Sequence, residues 1–298
     1  VEGLLFFRVG SLFGGLWRVR LLNDLEAKRE RLLDLLRSFE SCAVAFSAGV
    51  DSTVLAKAAQ LALGDRAVAV TGVSSSLPDG EREEARRLAE WIGIRHETIS
   101  TDEFAKTEYT RNAPDRCYHC KSELYTQIGR LAPRWNVRVV VNGANADDAG
   151  DYRPGTQAAE EHRIRSPLLE CGISKAEVRQ LAADWGLPIW DKPAMPCLAS
   201  RVAYGEAITP ERLVMIDRAE RLLRDEGLRT VRVRYHRGDL ARLEVPPAEV
   251  GRLVEDSARQ RLVQGLKDLG FRFVTIDLEG FRSGSLNALV PPDVLQAG

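Results

Sequence analysis

The sequence predicts an α/β protein, a parallel sheet covered by helices, followed by a smaller α+β unit. Three observations carry this. Short apolar runs alternate with helical patterns from about residue 43 to residue 185. A turn of small and polar residues, Ser47-Ala48-Gly49-Val50-Asp51-Ser52-Thr53, joins the first of those runs to the next helix. Beyond residue 206 the order changes to helix, two strands, helices and a last strand.

Residues 1–20 read as an N-terminal extension. Phe6, Phe7, Phe13 and Trp17 are interrupted by Gly10, Gly14 and Gly15, without the basic head, compact apolar centre and cleavage site of a signal peptide. Residues 21–39 have helical spacing with many charges. A buried strand is expected at 43–46, a helix at 52–63 and a second strand at 67–71. Pro78-Asp79-Gly80 is a turn before a helix at 81–91, closed by Gly93. A third strand at 96–99, a helix at 122–131, a β-branched strand at 137–141 and a helix at 174–185 complete this part. Thr209 then caps a helix that begins at Pro210 and runs to about 226. Residues 231–235 alternate like a half-exposed strand and pair with 240–245 across Arg237-Gly238-Asp239. Helices at 247–256 and 257–269 and a strand at 271–278 follow.

At 298 residues the chain has the length of about two domains. Apolar residues at 44%, charged residues at 29% and a net charge of -1 are ordinary for a soluble domain and argue against a broad nucleic-acid surface. No apolar stretch reaches the roughly 20 residues of a membrane span. Absence of a targeting segment makes the cytoplasm the expected location. Five cysteines, an odd number, argue against a disulfide framework and for thiol or metal chemistry at some of them.

The Ser47–Thr53 turn places hydroxyls and free backbone N–H groups at a helix start, a position that holds phosphate. It lacks the Gly-Lys-Ser/Thr ending of a Walker loop. Ser47, Gly49, Asp51, Ser52 and Thr53 are the candidate ATP and pyrophosphate residues, with Asp51 positioning Mg²⁺ or fixing the loop. A second loop, Asn142-Gly143-Ala144-Asn145-Ala146-Asp147-Asp148, also follows a strand. Its Asp147 and Asp148, with Asp151, can coordinate Mg²⁺ or bind nucleotide; a plain acidic surface loop is the alternative.

Cys117 and Cys120 lie three positions apart, a spacing that permits a shared ligand, a redox pair or two unligated thiols. A structural zinc site needs two more ligands, for which Cys197 and either His119 or His162 are available. Pro193 and Pro196 restrain the segment before Cys197, while Lys192 and Arg201 can activate its thiol or hold an anionic substrate. Cys42 reads as core and Cys171 as non-catalytic. Arg232 and Arg234 share one face of an alternating strand and are candidates for substrate anions, as are Arg237, Arg242 and Arg282. Trp190 packs either by the ligand or in the core, and Glu220 reads as a solvated helix face.

The turn resembles the PP-loop of ATP pyrophosphatases, which reads Ser-Gly-Gly-x-Asp-Ser. Here Ala48 replaces the first glycine, a change tolerated if its φ is negative. Residues 46–53, 116–121, 142–155, Ser166-Pro167-Leu168 and 192–201 together closely resemble the ATP-dependent sacrificial sulfur transferases of the LarE family, across nearly all of residues 21–285. The ending Gly280-Phe281-Arg282-Ser283-Gly284-Ser285 is also similar. The resemblance implies a PP-loop nucleotide-binding domain at 21–205, a substrate-binding α+β domain at 206–285 and a tail at 286–298. It implies synthesis of the nickel-pincer nucleotide used by lactate racemase: ATP adenylates a carboxylate of a pyridinium mononucleotide, pyrophosphate leaves, and sulfur displaces AMP to give a thiocarboxylate. Cys197 matches the catalytic cysteine, which in the sacrificial form gives up its sulfur and becomes dehydroalanine. Cys117, Cys120 and Cys197 resemble the family's three-cysteine variant, which implies a [4Fe-4S] cluster with one iron lacking a protein ligand. That pattern favours cluster-borne sulfide over self-sacrifice. A homo-oligomer and a sulfur donor are implied as well. Transfer-RNA thiolation and a nucleotide-dependent metal-binding or sulfur-carrier protein are the competing readings; GMP or NAD synthesis has no need of these cysteines.

Overall fold

Strand β1, Cys42–Ala45, alternates between two apolar layers and so lies at the centre of its sheet. Cys42 and Val44 face one layer, Ala43 and Ala45 the other, and all four are buried. The computed structural model describes residues 12–78, 80–149, 154–193, 196–282 and 284–289. Its larger part runs α1 (Leu12–Ser38), β1, α2 (Val50–Leu63), β2 (Ala67–Val73), α3 (Glu81–Ile92), β3 (Arg95–Ser100), α4 (Thr107–Thr110), α5 (Arg116–Leu131), β4 (Val139–Val141), α6 (Pro154–Glu161), α7 (Pro167–Glu170) and α8 (Lys175–Asp184). The four strands pair in the order β3-β2-β1-β4, all parallel, with Cys42 opposite both Ala67 and Val139.

Helices α1, α2, α3 and α8 cover one face, where Leu32, Leu36, Leu55 and Leu181 are almost wholly sealed from water. Burying each such side chain contributes about 1.5–3 kcal/mol. Helices α5 and α6 cover the other face through Tyr125, Ile128, Ala158 and Ala159. The strand order reverses between β2-β1 and β1-β4, so a crevice opens beyond the carboxyl ends of β1 and β4, the usual ligand position in such sheets.

The remaining elements are α9 (Pro210–Asp225), β5 (Arg232–His236), β6 (Leu240–Glu244), α10 (Val250–Val254), α11 (Asp256–Asp268) and β7 (Phe273–Ile276). β5 and β6 are antiparallel, and β7 joins β6 in parallel. Their core also takes in Tyr109, Leu198, Ala199 and Val202 from the preceding part, and a bridge between Val202 and Tyr235 continues that contact. Among the described residues no helix is long and apolar enough to cross a membrane.

Three differences from the sequence reading matter. Helix α1 begins at Leu12, inside the segment read as an extension. Helix α5 begins at Arg116 rather than at 122, which puts Cys117 and Cys120 on the helix, within its first five residues. Strand β4 begins at Val139, because the Val137 N–H closes the preceding turn on Ala132 O at 3.1 Å.

Ala48 departs from expectation most sharply. Its φ is +57°, in the left-handed region, and it is fully buried. The condition set for tolerating alanine there is not met, and the turn is held in a strained backbone state that costs about 1–2 kcal/mol. Glycine at 48 relieves that strain but adds about 0.4–1 kcal/mol of unfolded-state freedom. Ala48→Gly is therefore expected to raise unfolding stability by about 0.5–1 kcal/mol, read as a higher urea midpoint at unchanged slope.

Candidate active site

The turn after β1 and the loop after β4 meet at the crevice. Helix α2 begins beyond Gly49 without a side-chain cap, so the N–H groups of its first turn are left for a ligand. Ser47 and Ser52 brace the turn: their hydroxyls are 3.2 Å apart, and Ser52 Oγ donates to Gly49 O at 3.1 Å. Thr53 is fully buried and donates to Gly49 O at 2.9 Å, so it supports the turn from behind. The opposing loop comes so close that a Cβ on Gly143 would lie 2.9 Å from the Ser52 nitrogen. The resulting cleft, about 700 Å³, is lined by Ser47, Gly49, Asp51 and Ser52 on one side, Asn142, Gly143 and Asp148 on the other, and Lys121, Leu124 and Tyr125 of α5.

The acidic residues divide. Asp51 and Asp148 line the cleft. Asp147 accepts the Lys175 N–H at 2.9 Å, and Asp148 accepts the Asn145 N–H at 3.0 Å. Asp151 lies outside the described residues. Mg²⁺ is commonly held by one or two carboxylates together with substrate phosphates, and Asp51 with Asp148 fits that arrangement. Lys175, which the sequence reading passed over, pairs with Asp51. Its local signal was present: Ser174 and Glu177 form a capping box that fixes the start of α8 directly opposite the turn.

Cys117 and Cys197 are exposed and Cys120 is partly buried. Burial, then Cys197 and Glu103, push the Cys120 thiol up to about 12. Burial works to lower the Arg116 guanidinium, but Cys117 and Cys197 outweigh it and hold it up. The Lys121 ammonium is held up by Tyr125 first and also by Cys120, Cys117 and Cys197. The three thiols thus act electrostatically on one another and on the two cations beside them. Among the described residues they do not close into a ready set of three metal ligands. His119 instead faces Asp115 at 3.3 Å, and His162 packs against the Tyr125 ring.

A second cavity, about 470 Å³, lies beyond Arg116. Arg116, Lys192, Arg224, Arg229, Arg232 and Arg234 all line it. Arg232 and Arg234, on alternate positions of β5, are buried there. Burial, then Arg201, pushes Arg232 down to about 10, with Arg234 and Arg224 adding to the effect and Glu220 opposing it. The cavity is a concentrated positive field suited to an anion. Glu244 accepts Arg234 Nε at 2.9 Å and partly balances it.

Arg201 does not line this cavity. It is fully buried, donates from Nε to Glu220 at 2.9 Å, and reaches the carbonyls of Pro196 and Cys197, the latter at 2.8 Å. Glu220 is equally buried and also accepts Arg224 at 2.9 Å and the Val233 N–H at 3.2 Å, so its reading as a solvated face is overturned. The periodicity of α9 carried the clue: Glu220 falls on the buried stripe of Leu213, Ile216 and Leu223. Arg237 is exposed beside Glu206, Arg242 pairs with Asp277 at 2.5 Å, and Arg282 pairs with Glu279 at 2.5 Å. Trp190 is half exposed rather than packed in the core.

A parallel sheet whose first strand leads into an uncapped, phosphate-sized turn opposed by an acidic loop defines a PP-loop nucleotide-binding protein. Residues 32–142, which span that sheet, match the NAD synthase family. An uncharacterized protein of Synechocystis is 49% identical, over 89% of this chain and 99% of the relative. Pyridinium-3,5-bisthiocarboxylic acid mononucleotide synthase of Lactiplantibacillus plantarum is 37% identical, over 89% of this chain and 96% of the relative. An uncharacterized protein of Methanocaldococcus jannaschii is 32% identical, over 58% of this chain and 66% of the relative. The chain belongs to the pyridinium-3,5-bisthiocarboxylic acid mononucleotide synthase family, the LarE family.

Two outcomes follow from this geometry. Glu220→Gln strands the Arg201 guanidinium in the core; stability is expected to fall by about 3–5 kcal/mol in urea unfolding. In iron-free protein at pH 8, iodoacetamide should label Cys117 and Cys197 well before Cys120 and Cys42, since burial pushes Cys42 to about 12 as well. Cys120 labelling should then rise about tenfold per pH unit until the pH nears its pKa, because the thiolate is the nucleophile; peptide mass spectrometry reads the order.

Proposed function

We propose that the protein is an ATP-dependent sulfur transferase that converts carboxylates of a pyridinium mononucleotide to thiocarboxylates, in nickel-pincer nucleotide synthesis. The observation that carries this reading is the position of the sulfurs. Helix α5 runs between the two cavities: Arg116 lines the arginine cavity, Lys121 lines the phosphate cleft, and Cys117 and Cys120 lie between them in sequence on the same helix.

In this reading the Ser47–Ser52 turn holds the polyphosphate by backbone donors, with Thr53 bracing it. Asp51 and Asp148 are the carboxylates for Mg²⁺, and Asp147 shapes the same loop through the Lys175 N–H. Arg232 and Arg234 hold the substrate phosphate or its second carboxylate, while Arg201 acts on the anion only indirectly, by fixing the Cys197 backbone. A substrate carboxylate oxygen attacks the α-phosphorus of ATP, and pyrophosphate leaves with the bonding electron pair. A sulfur nucleophile then attacks the acyl carbon, and AMP leaves in turn, carrying off the carboxylate oxygen.

The chemistry of three soft, free thiols supports a [4Fe-4S] cluster. Cys117, Cys120 and Cys197 would hold it, and when bound it supplies an iron without a protein ligand to carry sulfide. If Cys197 itself gives the sulfur, its Cβ–S bond breaks with loss of the Cα proton, leaving dehydroalanine. The family resemblance supports a homo-oligomer and an external sulfur donor, and five free thiols suit the cytoplasm.

An anaerobic assay of AMP, pyrophosphate, thiocarboxylate, iron and protein mass tests the proposal. Several products per chain at unchanged mass, together with bound iron that is lost in Cys117→Ala, are expected. A protein mass lower by about 34 Da would assign the sulfur to Cys197 instead. No AMP or pyrophosphate with the pyridinium substrate, alongside salt-sensitive RNA binding, would sink the assignment in favour of RNA thiolation.

A further inference from the structure

We propose that Lys175 masks the Asp51 metal position and uncovers it only when a polyphosphate enters the cleft, so that nucleotide and metal bind together and metal does not bind first. The inference rests on the nucleotide reading above.

Both carboxylate oxygens of Asp51 are engaged. Asn145 Nδ2 donates to Oδ1 at 3.1 Å, and the Lys175 ammonium pairs with Oδ2. Lys175 is anchored at its backbone, where its N–H donates to Asp147 and the Ser174 capping box fixes the helix start. Its side chain is 35% exposed and that of Asp51 25%, so the pair sits at the mouth of the cleft and not in the core. A lysine there is a compact charge on a flexible stem, able to swing while its base stays fixed.

A divalent ion arriving alone must break the Lys175–Asp51 pair and then sit beside the displaced ammonium. Two cations would share one aspartate, and the ammonium would gain nothing in return. With a polyphosphate in the cleft the balance reverses. The ammonium moves to phosphate oxygens, the metal takes Asp51 and the same phosphates, and one ion pair is exchanged for two. Asp148, on the opposite loop of the cleft, adds a second carboxylate on the metal side. The pair therefore makes metal affinity conditional on the anion, and by linkage makes anion affinity conditional on the metal.

Mn²⁺ binding, followed by electron paramagnetic resonance with and without inorganic pyrophosphate, tests this on the full chain. Wild type is expected to bind Mn²⁺ weakly alone and about tenfold more tightly with pyrophosphate. Lys175→Met should bind Mn²⁺ alone about tenfold more tightly than wild type, bind pyrophosphate more weakly, and lose most of the coupling. Lys175→Gln, which keeps a hydrogen-bond donor without the charge, should move in the same direction. Unchanged or weaker Mn²⁺ binding by both variants, with pyrophosphate still bound by wild type, would overturn the masking alone. Failure of wild type to bind pyrophosphate at all would overturn the nucleotide reading and the masking with it.

Discussion

The buried pair of Arg201 and Glu220 is the constraint on which the rest of the site depends. A guanidinium and a carboxylate, both sealed from water, are tolerable only because each is fully engaged. Arg201 spends its remaining donors on the carbonyls of Pro196 and Cys197 and so holds the sulfur-bearing turn. Glu220 spends its remaining acceptor capacity on Arg224 and on the backbone of β5. One interaction thereby ties the end of the nucleotide-binding part to the helix and strand that carry the arginine cavity. The same tie keeps Arg224 at the cavity wall.

Around that tie the charges are arranged by sign. The cleft beyond β1 and β4 offers backbone N–H groups at one side and carboxylates at the other, as a metal-bound polyphosphate requires. The cavity beyond Arg116 is mainly positive, with Glu220 and Glu244, and Glu81 and Glu84 on Lys192, neutralising part of it. Helix α5 joins the two regions, with Arg116 at the cavity, Lys121 at the cleft, and Cys117 and Cys120 between them in sequence. The two regions therefore differ in charge, one mixed and one mainly positive.

Much of this was legible where chemistry and local structure coincide. Ser47, Gly49, Asp51 and Ser52 fall within six positions between a strand and a helix, and their small and polar side chains mark the turn. Arg232 and Arg234 fall on one face because strand side chains alternate. What was illegible depended on contacts across the fold. Helix α5 starts six residues earlier than its local pattern suggests, because Arg116 is anchored to Asn112 and to Ala199 O, 83 positions away. Thr53 looked like a ligand residue, and only its position beneath Gly49 turns it inward. Ala48 looked tolerable with negative φ, yet the packing around the turn holds it left-handed.

The sequence by itself determined the order of the strands and of most helices, the phosphate-sized turn after β1, the acidic loop after β4 and the set of cysteines, because these follow from periodicity, turn chemistry and residue type within a few positions. Only the tertiary structure decided that Arg201 and Glu220 are one buried unit, that Lys175 closes on Asp51, and that Cys120 is partly buried while Cys117 and Cys197 are exposed. The physical reason is that pairing and desolvation are set by groups far apart along the chain. A lone arginine, lysine or cysteine carries no local mark of the partner the fold will bring to it.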